Sequence, residues 1–302
     1  MLARTVAAMS IAGLPLLLVP APAAAQDGGW STPRTPWGHP DLQGIWSNTT
    51  TTPMERPEDL AGREFLTEEE RVARNPGSGI SAEERTAFMP TGAVNDYWLE
   101  KGELLLQTSL IVDPPDGRYP PLTPEAQARL ARRRASYTGG ELASWEDFST
   151  YDRCLTRGMP GAMTPGWYNH NYLILQTPTH VVILVEMIHD ARIVRLDGSP
   201  ADGVEQWLGQ STGRWEGDTL VVETTHLEEP QRRVVERLTR TGADSIDYEV
   251  TVRDDGEWTG PWTALMPMSA IEGPLFEYAC HEGNYGLPNM LSGKRAEEAE
   301  AR

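Results

Sequence analysis

From Tyr172 onward the chain is a succession of short β-patterned runs, and that succession constrains the fold more than any other feature. The runs are Tyr172–Gln176, His180–Ile188, Arg192–Leu196, Val204–Leu208, Thr219–Thr225, Val234–Thr239, Ser245–Val252, Trp262–Met268 and Leu275–His281. Turn signals separate many of them, among them Asp197-Gly198, Asp202-Gly203, Glu216-Gly217-Asp218 and Asp255-Gly256. Strands this closely spaced, with few helices between them, favour an antiparallel meander. A long meander closes into a barrel or folds as a sandwich, because closure hides the unpaired edges. Ile246, Tyr248, Val250 and Val252 share one face of their run, while Asp247, Glu249 and Thr251 share the other. That is a wall with one apolar and one polar side. The expected fold is mainly β, an antiparallel meander closing into a calycin-like barrel over 151–293.

The stretch 26–150 has a different texture. Its first part is rich in Pro, Gly and Thr and reads as an extended arm with short helices. Thr67-Glu68-Glu69-Glu70 and Ser81-Ala82-Glu83-Glu84 are capping-box patterns. Thr123 caps a longer helix expected over 124–136, with Pro124 at its first position and Arg129, Arg132, Arg133 and Arg134 toward its end. A cationic last turn suits the helix dipole, so this run reads as a solvated helix end. The tail 294–302 is polar.

Residues 1–25 follow the pattern of a secretory signal. Arg4 precedes an apolar stretch from Val6 to Val19, and small residues end at Ala23-Ala24-Ala25. Gly13, Pro15 and Pro20 interrupt the stretch, and a spanning helix needs about 20 apolar residues. The expectation is export to a bacterial periplasm or exterior, with no membrane span. The whole chain carries a formal charge of -18, and losing Arg4 with the signal makes it one unit more negative. Such acidity excludes the basic face that a nucleic-acid partner needs. It also disfavours docking on anionic lipid. The two cysteines, Cys154 and Cys280, are an even count in an exported chain. That favours a disulfide between them, with two buried thiols as the alternative.

Several stretches carry a resemblance together. They are Thr35-Pro-Trp-Gly-His-Pro-Asp-Leu-Gln-Gly-Ile-Trp46, Thr108-Ser-Leu-Ile-Val-Asp-Pro-Pro-Asp-Gly-Arg118, Glu186-Met-Ile-His-Asp-Ala-Arg192, Gly213-Arg-Trp-Glu-Gly-Asp-Thr-Leu-Val-Val-Glu-Thr224 and Glu277-Tyr-Ala-Cys-His-Glu-Gly-Asn-Tyr-Gly286. With these motifs nearly the whole of the chain after residue 25 resembles a widespread family of exported bacterial proteins. The resemblance implies export and brings no reaction with it. The stretch His226-Leu-Glu-Glu-Pro-Gln-Arg-Arg departs from the family pattern by being short.

Familiar catalytic motifs fail on context. Gly209-Gln-Ser-Thr-Gly213 matches a nucleophile elbow, but a turn and a β-patterned run follow it where a helix is required. There is no phosphate-binding loop and no zinc-protease motif, and two distant cysteines cannot build a cysteine-rich zinc site. No metal and no cofactor is expected.

Three polar clusters remain. Tyr168-Asn-His-Asn-Tyr172 precedes a strand, Glu186 and His189-Asp-Ala-Arg192 end the most apolar strand, and the third is Glu277 to Tyr285. A Cys154–Cys280 bridge would bring the third cluster beside Arg157. His281 or His189 could then move a proton, with Glu186 or Glu282 orienting the imidazole. Glu186 and His189 meet only if the strand breaks at Ile188. Arg157 or Arg192 could hold an anionic group. Tyr168, Asn171, Tyr172, Trp207 and Tyr278 could line a pocket with apolar walls and polar tips. The chain is therefore expected to take a small hydrophobic or aromatic molecule into its barrel, with cofactor-free lyase, isomerase or hydratase chemistry if it is an enzyme. The other readings are a non-catalytic carrier, and an envelope module using Gln26–Asn95 as its partner surface. Structural ion pairs and core aromatics account equally for many of these residues.

Overall fold

A two-residue turn sets the first pair of strands. Gly217 has φ +62°, the left-handed conformation such a hairpin turn demands. Glu216 lies opposite Thr219, so the partner of Thr219–Thr225 is the segment just before the turn, Gln210–Glu216. The run Val204–Leu208, expected as a strand, is instead a surface loop. Gln210 pins that loop by donating to the Val204 carbonyl at 2.8 Å, and Gly209, at φ +66°, turns the chain into the strand.

The computed structural model describes residues 30–74, 100, 102–137, 142–166 and 168–301. The expected signal segment 1–25 and the Ser81 capping box lie outside them, as do 26–29 and 75–95 of the arm considered as a partner surface. Thr32–Arg302 forms one compact unit. Its strands are β1 (Gly44–Ser47), β2 (Ile111–Asp113), β3 (Asn171–Gln176), β4 (His180–Val185), β5 (Ala191–Arg195), β6 (Gln210–Glu216), β7 (Thr219–Thr225), β8 (Arg232–Gly242), β9 (Ser245–Asp254), β10 (Trp262–Leu265) and β11 (Met268–Ala270). The helices described are α1 (Glu68–Arg74), α2 (Pro124–Tyr137) and α3 (Gly286–Glu300). Thr67 and Glu70 exchange the two bonds of a capping box at the start of α1. The Thr123 hydroxyl accepts from the Ala126 amide at the start of α2. None of these helices is long and apolar enough to cross a membrane.

The protein is mainly β and its sheet closes. The order β1-β3-β4-β5-β6-β7-β8-β9-β11 returns to β1, making a nine-stranded barrel, with β10 and β2 extending from β9. Neighbours are antiparallel except β5 and β6, which run parallel and pair only at Val194–Ser211 and Arg195–Thr212. The chain therefore crosses over once, through 196–209, between two antiparallel stretches. β1 comes from the arm and carries no alternation long enough to announce a strand. It nevertheless seals the barrel between β3 and β11.

Three expected strands are altered. His180–Ile188 ends at Val185, and a tight turn follows with Ile188 at φ +62° and His189 at φ +48°. Trp262–Met268 divides at Pro267, which has no amide hydrogen to give a ladder. Its halves pair with opposite ends of β9, and the second leaves to reach β1. Leu275–His281 is not a strand. Side-chain tethers hold it instead. The Phe276 amide donates to the Glu186 carboxylate at 3.0 Å, and Cys280 is bonded to Cys154.

The inward positions are occupied by side chains. Trp46, Tyr172, Ile174, Val181, Ile183, Val194, Leu220, Val222, Leu238, Ile246, Tyr248, Val250 and Val252 are all fully buried and form one core cluster. Two charges share this interior. Arg192 on β5 and Glu236 on β8 make a bidentate pair at 2.9 and 2.5 Å, and the Tyr248 hydroxyl donates to Glu236 at 2.8 Å.

Candidate functional site

The disulfide Cys154–Cys280 is present, with Cα atoms 5.7 Å apart across 126 residues of chain. It ties the segment 275–285 to the turns that follow Ser149. Around it, three tyrosines converge. The Tyr151 and Tyr168 hydroxyls lie 3.1 Å apart, and the Tyr168 and Tyr278 rings are 6.4 Å apart between centroids. Burial, with help from Tyr168, pushes the Tyr278 hydroxyl up to about 12, and burial raises Tyr151 as well. Tyr151 and Tyr278 are thereby held as neutral phenols that donate and accept hydrogen bonds.

Arg157 lies against this cluster. Its guanidinium sits over the Tyr151 ring at 5.5 Å. Its Nη1 is 2.7 Å from Nε2 and 3.1 Å from Nδ1 of His170. A guanidinium only donates, so the imidazole must offer a bare nitrogen and is neutral. Burial first, and the Arg157 charge second, hold the His170 pKa down at about 3. Gly166 makes that burial possible: a Cβ there would lie 1.9 Å from His170 Nε2.

Glu186 and Asn171 are brought together. Glu186 is buried; one carboxylate oxygen accepts from Asn171 Nδ2 at 2.7 Å and the other from the Phe276 amide. Asn171 also donates to Glu100 at 2.7 Å. The strand does break at Ile188, but the break does not join His189 to the Glu186 carboxylate. His189 is exposed, with Nδ1 3.0 Å from the Tyr278 carbonyl, so that nitrogen carries a proton and donates. His281 and Glu282 are exposed. His281 lines a hollow of about 330 Å³ beside Trp145, Leu155 and the disulfide. Tyr172 is fully buried in the barrel and donates to Asn48 at 3.2 Å. Arg192 serves the interior pair.

A larger concave surface lies elsewhere, on the flank where β5 and β6 part. Two hollows, of about 560 and 550 Å³, meet at Trp207 and Glu228, which line both. Trp207 stands 45% exposed between them. The first hollow is completed by Asp190, Ala191, Glu205, Gln206 and Leu208. The second has Arg157 and Gly158 on one side and Gln231 and Arg232 on the other. Two of its cations are paired, Arg232 with Asp254 at 3.0 Å and Arg129 with Glu257 at 2.6 Å, while Arg157 is turned to His170. Asp190 accepts from Thr156 at 2.9 Å, and its pKa is raised because burial outweighs that bond. Of the expected binding residues, this groove unites Trp207 and Arg157. The sequence reading missed Asp190, Glu228 and Gln206 as groove walls, because only the crossover between β5 and β6 brings them together. It also missed His170 and Tyr151 as partners of Arg157, although His170 sits inside a cluster of polar and aromatic residues visible in the sequence.

No family model, no curated protein and no solved structure matches this chain.

Proposed function

We propose that this is an exported bacterial protein that binds a small hydrophobic or aromatic molecule in the groove across the barrel flank, with Trp207 as the wall the ligand packs against. The half-exposed Trp207 between two hollows carries this reading. A tryptophan left in a concave surface of this size is a stacking platform with most of its apolar area still to bury. The barrel interior is packed with side chains, so the groove rather than the interior is the receptacle. Export is supported by the signal pattern of residues 1–25, by the disulfide and by the resemblance to exported bacterial proteins. An acid–base reading through His189 or His281 has less support. Neither imidazole is hydrogen-bonded to a carboxylate among the described residues, and both oxygens of Glu186 are taken by amide donors. The test is calorimetric titration of the protein with a neutral aromatic probe, 2-naphthamide. Saturable binding that weakens about tenfold in Trp207→Ala is expected, the scale of one lost aromatic contact. Binding indifferent to that substitution rejects the groove.

A further inference from the structure

The parallel pairing of β5 and β6 covers only Val194 and Arg195 of β5, so Ala191–Ile193 has no β6 partner. There the wall opens into a slot of about 260 Å³, lined by Arg192, Ile193, Arg195, Asp202, Gln210 and Ser211 among others. The slot adjoins the Trp207 groove, since Ala191, Gln206 and Leu208 line both.

Two guanidinium groups border this slot with donors to spare. Arg192 is 2% exposed and spends both terminal nitrogens on Glu236, but its buried Nε has no partner among the described residues. Arg195 Nη2 is also buried and without a partner, and Arg195 makes no ion pair among the described residues. Asp197 and Asp202 lie within electrostatic reach of Arg195 without forming an ion pair, and one Asp202 oxygen accepts from the Val204 amide and from Gln210. Buried N–H groups without acceptors cost free energy, and a charged one costs more than a neutral one. An anionic ligand in the slot would supply the acceptor that both groups lack.

We propose that the slot takes the carboxylate of a small aromatic or apolar monoacid, whose ring lies in the Trp207 groove. This deepens the groove reading and rests on it. The charges select a monoanion. Arg192 is balanced by Glu236, and Arg195, with Asp197 and Asp202 in electrostatic reach, leaves at most one positive charge to be matched. A dianion such as a phosphate monoester would meet Asp202 at the rim and Glu236 behind Arg192. A carboxylate has two oxygens to offer, and Arg192 and Arg195 each bring an unpartnered donor to the lining of the slot.

The experiment compares 2-naphthoate with 2-naphthamide, which keep the ring and differ in charge, by calorimetric titration of the full chain. The protein should bind the acid at least about tenfold more tightly than the amide, the usual scale of one charge-assisted hydrogen bond. Arg195→Gln should bring that ratio near one. Ile193→Trp, an exposed position that fills the slot from outside, should do the same without touching the buried pair. Equal affinity for both probes in the unaltered protein overturns the carboxylate slot and leaves the groove standing. So does a preference that survives both substitutions. Binding of neither probe removes the groove and the slot together.

Discussion

At the scale of single residues, the interior pair Arg192–Glu236 is the most consequential arrangement outside the groove. Both side chains are almost fully buried, and the Thr224 and Tyr248 hydroxyls also bond to them. Glu236→Gln would leave the Arg192 charge uncompensated in the core. Breaking a buried pair from one side costs about 3–5 kcal/mol, and urea unfolding should show a loss of that size. Replacing both together, as Arg192→Met with Glu236→Leu, should cost far less, because no lone charge remains. A double variant as unstable as the single one would count against this account. The inward position of each charge is contained in the sequence pattern, although the sequence alone suggests Arg192 as a group that could hold an anion. Arg192 shares a face with Val194, and Glu236 shares one with Val234 and Leu238, so a period of two places each charge inside. What the sequence withheld was that they face each other, since β5 and β8 are three strands apart round the barrel. For Glu186 and His189 the spacing of three required a break in the strand, and the left-handed residues at 188 and 189 turn His189 onto the Tyr278 carbonyl rather than onto the Glu186 carboxylate.

At the scale of elements, the segment 275–285 is held by side chains where a strand would be held by a ladder. The Glu186 bond to the Phe276 amide, the His189 bond to the Tyr278 carbonyl and the disulfide are its main anchors. The disulfide closes a loop across 126 residues, so the chain-entropy argument gives it about 4–5 kcal/mol as an upper value. Cys154→Ser with Cys280→Ser should lower global stability by up to that amount. It should also speed hydrogen exchange at the Phe276 amide well beyond that of β8 and β9, because the segment can then peel away without the barrel opening. Exchange unchanged at Phe276 would mean the carboxylate and carbonyl bonds suffice alone. Element by element, the long alternating strands were readable and the short or mixed ones were not. β9 shows ten residues of strict alternation. β1 shows four residues, and β6 has Gly, Arg and Glu among its seven. Such strands are made by their neighbours, β1 by the open edges of β3 and β11, and β6 by the turn at Gly217.

At the scale of the whole molecule, closure of the barrel was foreseeable because nine β-patterned runs must hide their edges, whereas the single parallel crossover was not. That crossover matters most for the proposed binding site, since it opens the slot and sets Trp207 beside it. The folded barrel also fixes one group whose protonation opposes folding. His170 titrates at about 3 in the folded protein, held down first by burial and then by Arg157. In the unfolded chain it titrates near its ordinary value of about 6.5. Between those values the unfolded state binds one more proton than the folded state, so falling pH favours unfolding. Stability is therefore intact above about pH 6.5. It declines by up to about 1.4 kcal/mol per pH unit toward pH 3, below which this group contributes no further slope. Carboxylates add their own acid sensitivity, so the measurement is a comparison. Urea unfolding of the protein and of His170→Gln, which keeps an acceptor for Arg157, should be followed from pH 4 to pH 7. The variant should be the less stable of the two at pH 7 and should show a slope shallower by close to one proton below pH 6. Parallel slopes would mean that His170 takes up its proton in the folded state, and that Arg157 does not hold it neutral.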